Sequence, residues 1–454
     1  MGVSRIDELT ARAERYAGET ASLSDALWAE PELRWREHAA VERLSAVARA
    51  HGLRVTRELA GVETAFSAEG GEGGPVIAIL GEYDALDGMS QRAGAVAADP
   101  LVAGAAGHAC GHNLLGPGAL LATVIAAEHL RERGLPGRVR FVGCPAEEAA
   151  SGKTVLVQRG AFDDVSIAAT WHPADHLSAR QYLTLAYAQL DIAFEGVAAH
   201  AGVAPELGRS ALDALELCNV GVNYLREHVP DGVRLHYAVT DAGGESPNVV
   251  PAHARGRYIV RAREVGQLTL TRERVERIAR GAALMTDTRA RADLVGASSQ
   301  LLPNTPLEGA LDDVLHAVGP VPFDEADRAA AAAYAPGAGA PLDGRAREWA
   351  DAPRAQTGAS TDVGDISWTV PTVMLTAPTM AVGTPVHSWQ LVAQGTLSPA
   401  HRGTRHAAVA LAELALRVLE DDGLREAALR AHRADVAAAG GYTNPLPTGF
   451  VPTG

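Results

Sequence analysis

The sequence predicts an α/β fold, an open sheet with helices on its faces, interrupted by an inserted ferredoxin-like βαββαβ unit. Three observations predict it. Helical and strand periodicities alternate through the first part of the chain, the element order changes across residues 186–298, and the alternating rhythm then returns. The 454 residues exceed the roughly 150-residue size of one domain, so two domains are expected. The larger is split into 1–185 and 299–454, and the smaller occupies 186–298.

In chain order, amphipathic helices are expected near 5–17 and 37–51. Strand character follows near 53–67, and a GGEGG turn feeds the apolar strand PVIAIL. An apolar helix near 114–133 precedes the strands RVRFVGC and SIAATWH. The insert reads as strand QYLTLAYAQLDIAFEG, helix SALDALELCNVGVNYLREH, strands RLHYAVTD and GRYIVRA, helix TLTRERVERIARGAALM and strand RARADLVG. Helices near 306–319 and 400–420 and the strand TVMLT complete the larger unit. The low-complexity segment 329–344 is expected to be a loop, and the Gly/Pro-rich tail from Gly440 to be extended or disordered.

Composition narrows the function. A net charge of −15 and a pI near 5.5 exclude nucleic acid and an acidic membrane surface as partners, because both need clustered Lys and Arg. Three cysteines without paired spacing, and an N-terminus patterned as a mixed-charge helix rather than a secretion signal, point to a reducing, cytoplasmic setting. Lys153 is the only lysine. Its SGKT context is not a phosphate-binding loop, since position 147 holds Glu where that loop needs Gly.

The strongest motif is GHACGHN at 107–113. Residues at i and i+2 share a face on an extended or looped backbone but not on a helix, so Cys110 and His112 can converge, with Gly111 permitting the turn. A thiolate and an imidazole so placed make a first-row metal site; the alternative is a buried free cysteine among incidental histidines. His108 is read as support for a ligand or as packing. Glu147 and Glu148 leave a strand together, so one can bind metal while the other hangs over a metal-held water. His172 ends the next strand, and His387 sits in the Gly/Pro-framed GTPVHSW. One thiolate, three imidazoles and a carboxylate suit two ions sharing a ligand. No HExxH, GxSxG or nucleotide-binding glycine motif competes with this reading.

Together with HAG at 200–202, SPNVVP, GEYDALDG and GASTDVGDISW, these motifs resemble the amidohydrolase branch of the aminoacylase/carboxypeptidase-type dinuclear metallopeptidases over about residues 5–420. The resemblance implies a metallopeptidase catalytic domain with an inserted lid/dimerisation domain and two divalent ions per subunit, zinc or manganese, with cobalt possible. It implies Cys110, His112, Glu148, His172 and His387 as ligands, Cys110 as their bridge, Glu147 as the base, and His200 as an oxyanion donor reaching a neighbouring subunit's site in a homodimer. Asp84 would support a ligand imidazole, although Asp87 stands where the family usually has Pro. Asn248 would lie near substrate or only shape a turn. Arg257 and Arg261 would either pair with a substrate carboxylate or line a solvated strand face; Asp362 and Asp365 match the motif without a role. The implied activity is hydrolysis of a small N-acyl amino acid amide with an aromatic or p-aminobenzoyl-type acyl group. The rivals are a dipeptidase on β-alanyl or basic dipeptides, removal of an amine from an aromatic ring, and a catalytically silent partner subunit. A second related subunit is a further possible partner.

Overall fold

The computed structural model describes residues 4–179, 182–335, 340–348 and 354–452. Its larger sheet contains β1 (Arg54–Arg57), β2 (Phe66–Glu72), β3 (Val76–Glu82), β4 (Gly137–Cys144), β5 (Ile167–Ala174) and β10 (Thr372–Pro378) in the order β1-β2-β4-β3-β5-β10. Strands β4, β3, β5 and β10 run parallel, while β2 and β1 are antiparallel additions at one edge. All seven residues of β3, VIAILGE, are buried, as expected of a central parallel strand covered on both faces.

On one face, Ile77, Ile79, Phe141 and Leu375 pack beneath helices His112–Arg133 and Ser398–Glu420. On the other, Val76, Ala78, Leu80 and Val142 meet Val155, Leu156 and Phe162. The first helix is apolar enough to cross a membrane by length and composition, but it is buried inside the protein, where that apolarity serves the core. Gly116 lets it cross the end of β3 closely: a Cβ there would lie 2.7 Å from the Glu82 carbonyl oxygen.

Residues 186–298 form a second sheet of β6 (Ala186–Glu195), β7 (Arg234–Asp241), β8 (His253–Ala262) and β9 (Arg289–Ser298), ordered β7-β8-β6-β9 and antiparallel throughout. Helices Ala211–Leu225 and Val265–Met285 cover the face carrying Leu190, Ile192, Tyr258 and Val260. The element order is βαββαβ, so the α/β class with a ferredoxin-like insert holds.

Several local expectations need correction. The strands expected near 53–67 are β1 and β2, separated by a 3-10 turn, Leu59–Gly61, with β2 starting only at Phe66 and running on to Glu72. The apolar helix starts at His112, two residues before its expected start. Helices Ala17–Ala29, Val363–Thr369 and Asp422–Ala438 were not anticipated. Part of the expected low-complexity loop, 336–339, lies outside the described residues, whereas its beginning belongs to the helix Glu325–Ala332. The tail takes the extended, irregular form, the first of the two expected, and is anchored at several points. Leu446 and Phe450 are buried, the Tyr442 hydroxyl donates to Asp365 at 2.9 Å, and Asn444 Nδ2 donates to the Thr154 carbonyl at 3.0 Å.

Candidate metal centre

Because β3, β4, β5 and β10 are parallel, their carboxyl ends open at one edge of the sheet, where open α/β folds gather their ligands. Glu82 and Asp84 leave β3, Glu147 and Glu148 follow β4, His172 lies near the end of β5, and His387 follows β10. The GHACGHN segment meets them there. Gly111 adopts the left-handed conformation (φ 81°), so the chain turns between Cys110 and His112, the first residue of its helix. A Cβ on Gly111 would also sit 3.0 Å from the Pro173 side chain, beside His172.

Cys110 Sγ lies 3.4 Å from His172 Nε2, and the His172 and His112 rings cross edge-on with centroids 6.0 Å apart. His387 Nε2 lies 3.6 Å from Glu148 Oε1. His387 itself is held at φ 53°, an uncommon conformation for a non-glycine residue, and its backbone N–H donates to the Ala109 carbonyl at 3.0 Å. The donor atoms of Cys110, His112 and His172 form one group within 4.8 Å of each other, and those of Cys110, Glu148 and His387 form another. Cys110 belongs to both.

Asp84 ties these groups together. Its Oδ1 lies 2.9 Å from His112 Nδ1, which turns His112 Nε2 inward, and its Oδ2 accepts the Glu148 backbone N–H at 2.8 Å. Glu147 and Glu148 begin the short helix Glu147–Ala150, so they diverge by the helical rotation of about 100° per residue rather than by strand alternation. Residues Ala146 and Ser151, which flank it, are both left-handed. Buried Glu37 secures the turn by accepting the Ala146 N–H at 2.8 Å.

Burial and the crowding of several acidic groups set the electrostatics of this edge. Burial raises Glu147 well above the usual carboxylate range, with the Glu82 and Glu148 charges adding to it; burial likewise pushes Glu148 up to about 7. Burial, reinforced by Glu148, pushes the Cys110 thiol up. Burial opposes a charged His112, but Cys110, Glu82 and Asp84 outweigh it and raise His112. Burial and the neighbouring His112 lower both His172 and His387.

The donor set fits divalent ions. Among the described residues, His112 Nε2, Glu148 Oε1 and Glu82 Oε2 are buried without a hydrogen-bond partner, although His112 Nε2 stands 3.1 Å from Glu82 Oε2. A thiolate, imidazoles and a carboxylate at this spacing suit first-row metals.

The other expected residues are distributed differently. His108 Nε2 lies 3.2 Å from the Leu27 carbonyl, burial pushes the ring down to about 4, and it joins none of the donor groups among the described residues. His200 and Asn248 are exposed on adjoining loops of the insert, where the Ala201 N–H donates to the Asn248 carbonyl at 2.9 Å. Among the described residues, His200 makes no side-chain contact with the donor groups; its Nδ1 accepts from the Gly202 N–H. Arg257 is taken up by Asp191 in a bidentate pair at 2.7 and 2.8 Å. Arg261 donates to Ser360 Oγ at 2.7 Å, lies 5.1 Å over the Tyr187 ring, and contributes to the electrostatic surroundings of His387 and Glu147. Asp87 is exposed in its loop. Asp362 receives the Lys153 ammonium, and Asp365 accepts from Thr154, Ser299 and Tyr442. The residue overlooked in the sequence is Glu82. The last residue of β3, two positions before Asp84, it forms a third donor group with His112 and Glu147.

Comparison with known proteins supplies the context. The sequence pattern of peptidase family M20/M25/M40 matches residues 78–389. A p-aminobenzoyl-glutamate hydrolase subunit of Escherichia coli is 40% identical over 98% of this chain and 98% of its own. The Xaa-Arg dipeptidase of Mus musculus is 31% identical over 62% of each chain. Among solved structures, a dinuclear metal binding peptidase of Bacillus subtilis matches 90% of this chain and 99% of its own, with a TM-score of 0.56 and 20% identity, a likeness of fold.

Proposed function

From the premise that this chain belongs to peptidase family M20/M25/M40, and is a metal-dependent hydrolase of amide bonds, we propose that it cleaves N-acyl amino acids of the p-aminobenzoyl-glutamate type. The observation that carries this reading is the 40% identity to the p-aminobenzoyl-glutamate hydrolase subunit, sustained over 98% of both chains. The ligands in this reading are Cys110, His112, Glu148, His172 and His387, with Cys110 shared between two ions; the overlap of two donor groups at its sulfur supports this. The ions are zinc or manganese, with cobalt as a substitute.

Bound divalent ions supply Lewis acidity, lowering the pKa of a water toward about 7 and polarising the amide carbonyl. Glu147 takes the proton from the attacking water and returns it to the leaving amine, a task suited to a carboxylate whose burial raises its proton affinity. Asp84 keeps the His112 ring oriented with Nε2 inward. His200, reaching in from a second copy, donates to the developing oxyanion, and Asn248 beside it contacts the acyl portion. Arg261 meets the carboxylate of the amino-acid portion, while Arg257, already paired with Asp191, contributes structure instead.

The protein works in the cytoplasm as a homodimer joined through residues 186–298, the inserted lid and dimerisation domain, with 1–185 and 299–454 forming the catalytic domain. A second related subunit remains part of the proposal because the Escherichia coli relative is named as one subunit of an enzyme. The dipeptidase match favours one competing substrate class, basic dipeptides. The test is amine release by zinc- or manganese-loaded protein from p-aminobenzoyl-glutamate, other N-acyl amino acids and basic dipeptides, with and without chelator. Chelator-sensitive release from the first two classes is expected. Release confined to dipeptides replaces the substrate assignment, and no release from any amide overturns it.

A further inference from the structure

Lys153 has no part in the mechanism above, yet it is the only lysine and is fully buried. It lies at the start of helix Gly152–Gln158, just beyond the turn that presents Glu147 and Glu148. Its ammonium sits 2.7 Å from Glu82 Oε1 and 2.6 Å from Asp362 Oδ1, and its backbone N–H donates to Asp362 Oδ2 at 2.8 Å. Asp362 is therefore held at both oxygens by one residue. Glu82 is held at only one. Among the described residues its other oxygen, Oε2, has no hydrogen-bond partner, and it stands 3.1 Å from His112 Nε2, within the group that also includes Glu147.

Packing alone gives no reason for this arrangement. Replacing a buried ion pair with apolar groups of similar size is often neutral or stabilising, so its presence is weak evidence of a role in stability. A lysine ammonium is a compact point charge with three donors, smaller than the planar guanidinium found at every other Lys/Arg position in this chain. The anchor is itself braced: Asp365, three residues after Asp362, accepts from Thr154 Oγ1 at 2.6 Å, Ser299 Oγ at 2.6 Å and the tail's Tyr442 at 2.9 Å.

We propose that Lys153 is a positioning residue of the hydrolytic site: anchored by Asp362, it pins one oxygen of Glu82, so that the other stands at a fixed place between His112 and Glu147. Without that pin, Glu82 is free to rotate toward Glu147 and would displace it from its line to the reacting water. Lys153 touches no substrate, so its loss lowers kcat and leaves KM unchanged. This rests on reading Cys110, His112, Glu148, His172 and His387 as the metal site.

The experiment uses full-length protein loaded with cobalt, whose visible absorption reports ligand geometry. In Lys153→Met combined with Asp362→Asn, neither member of that pair is left as an unpaired buried charge. The expected result is a folded protein with wild-type metal content, kcat lowered about 10- to 100-fold, KM unchanged and shifted cobalt bands. Wild-type kcat with an unshifted spectrum overturns the proposal. Glu82→Gln, which keeps the Lys153–Asp362 pair, is expected to reproduce the kcat loss and band shift. Should the double variant not fold, wild-type kcat and bands in Glu82→Gln overturn the proposal by themselves. Failure of the wild-type protein to take up cobalt would instead sink the metal-site reading, a result distinguishable from any difference between variants.

Discussion

At the carboxyl edge of the six-stranded sheet, Glu82, Asp84, His112 and Lys153 are buried, and each is held by a named partner. On the four-stranded sheet and its loops, His200 and Asn248 face solvent, and Arg257 is spent on Asp191. The first region is built before anything binds, because its donor atoms are oriented by contacts within one chain. The second carries polar groups that, among the described residues, make no side-chain contact with the donor groups. On the function proposed above, ligand geometry and substrate engagement belong to separate parts of the fold, one preorganised and one open.

That contrast can be broken most sharply at Glu147. Glu147→Gln is expected to lower kcat about 100- to 10,000-fold while elemental analysis finds metal content intact. Metal loss parallel to activity loss would show that the preorganised edge does not separate binding from proton transfer. On the open side, His200→Ala is expected to cost about 100- to 1,000-fold in kcat with unaltered metal content. Mixing it with Glu147→Gln should restore activity if His200 serves a partner's site, and a mixture as inactive as its parts would place His200 in its own site or in none. Asp84→Asn should weaken metal binding about 10- to 100-fold, measured by competition with a chelating dye, since it misorients His112 and releases the Glu148 turn. Retained affinity would mean the edge is less preorganised than its contacts suggest.

The smallest effect concerns pH. Burial pushes Glu148 up to about 7, so below that pH its carboxyl holds a proton that an incoming cation must displace. Apparent metal affinity is therefore expected to fall as pH drops through 7, by about tenfold per unit for each proton displaced, and to keep rising above 7 because the Cys110 thiol and the His112 ring, both held above their usual values, must also give up protons. Equal affinities at pH 6 and pH 8, measured by the same competition, would remove Glu148 from the ligands.

What could be read from the sequence follows from the range of each signal. The spacing of Cys110, Gly111 and His112 is local, and the structure has the looped backbone that spacing demands. Strand periodicity placed His172 near a carboxyl end for the same reason. Helix Ala17–Ala29 escaped because Thr20 and Ser24 share its buried face with Leu23 and Leu27, so no apolar stripe appears; Ser24 accepts from Asn113 in the core. In helix Asp422–Ala438, only Ala428 and His432 are buried, which is too little periodicity to detect. The tail's Gly and Pro forecast the absence of regular structure correctly but not its packing, which depends on single anchors at Leu446 and Phe450. The pairing of Lys153 with Glu82 and Asp362 joins three distant segments, and no local pattern announces it.

The burial of the one lysine also bears on how this protein can be handled. Amine-directed acylating reagents, lysine crosslinkers and immobilisation through side-chain amines find no accessible lysine on the folded chain. Modification of that residue must wait for an opening of the fold around it, so the rate at which an activated ester labels it becomes a clock for local unfolding directly beneath the reaction centre.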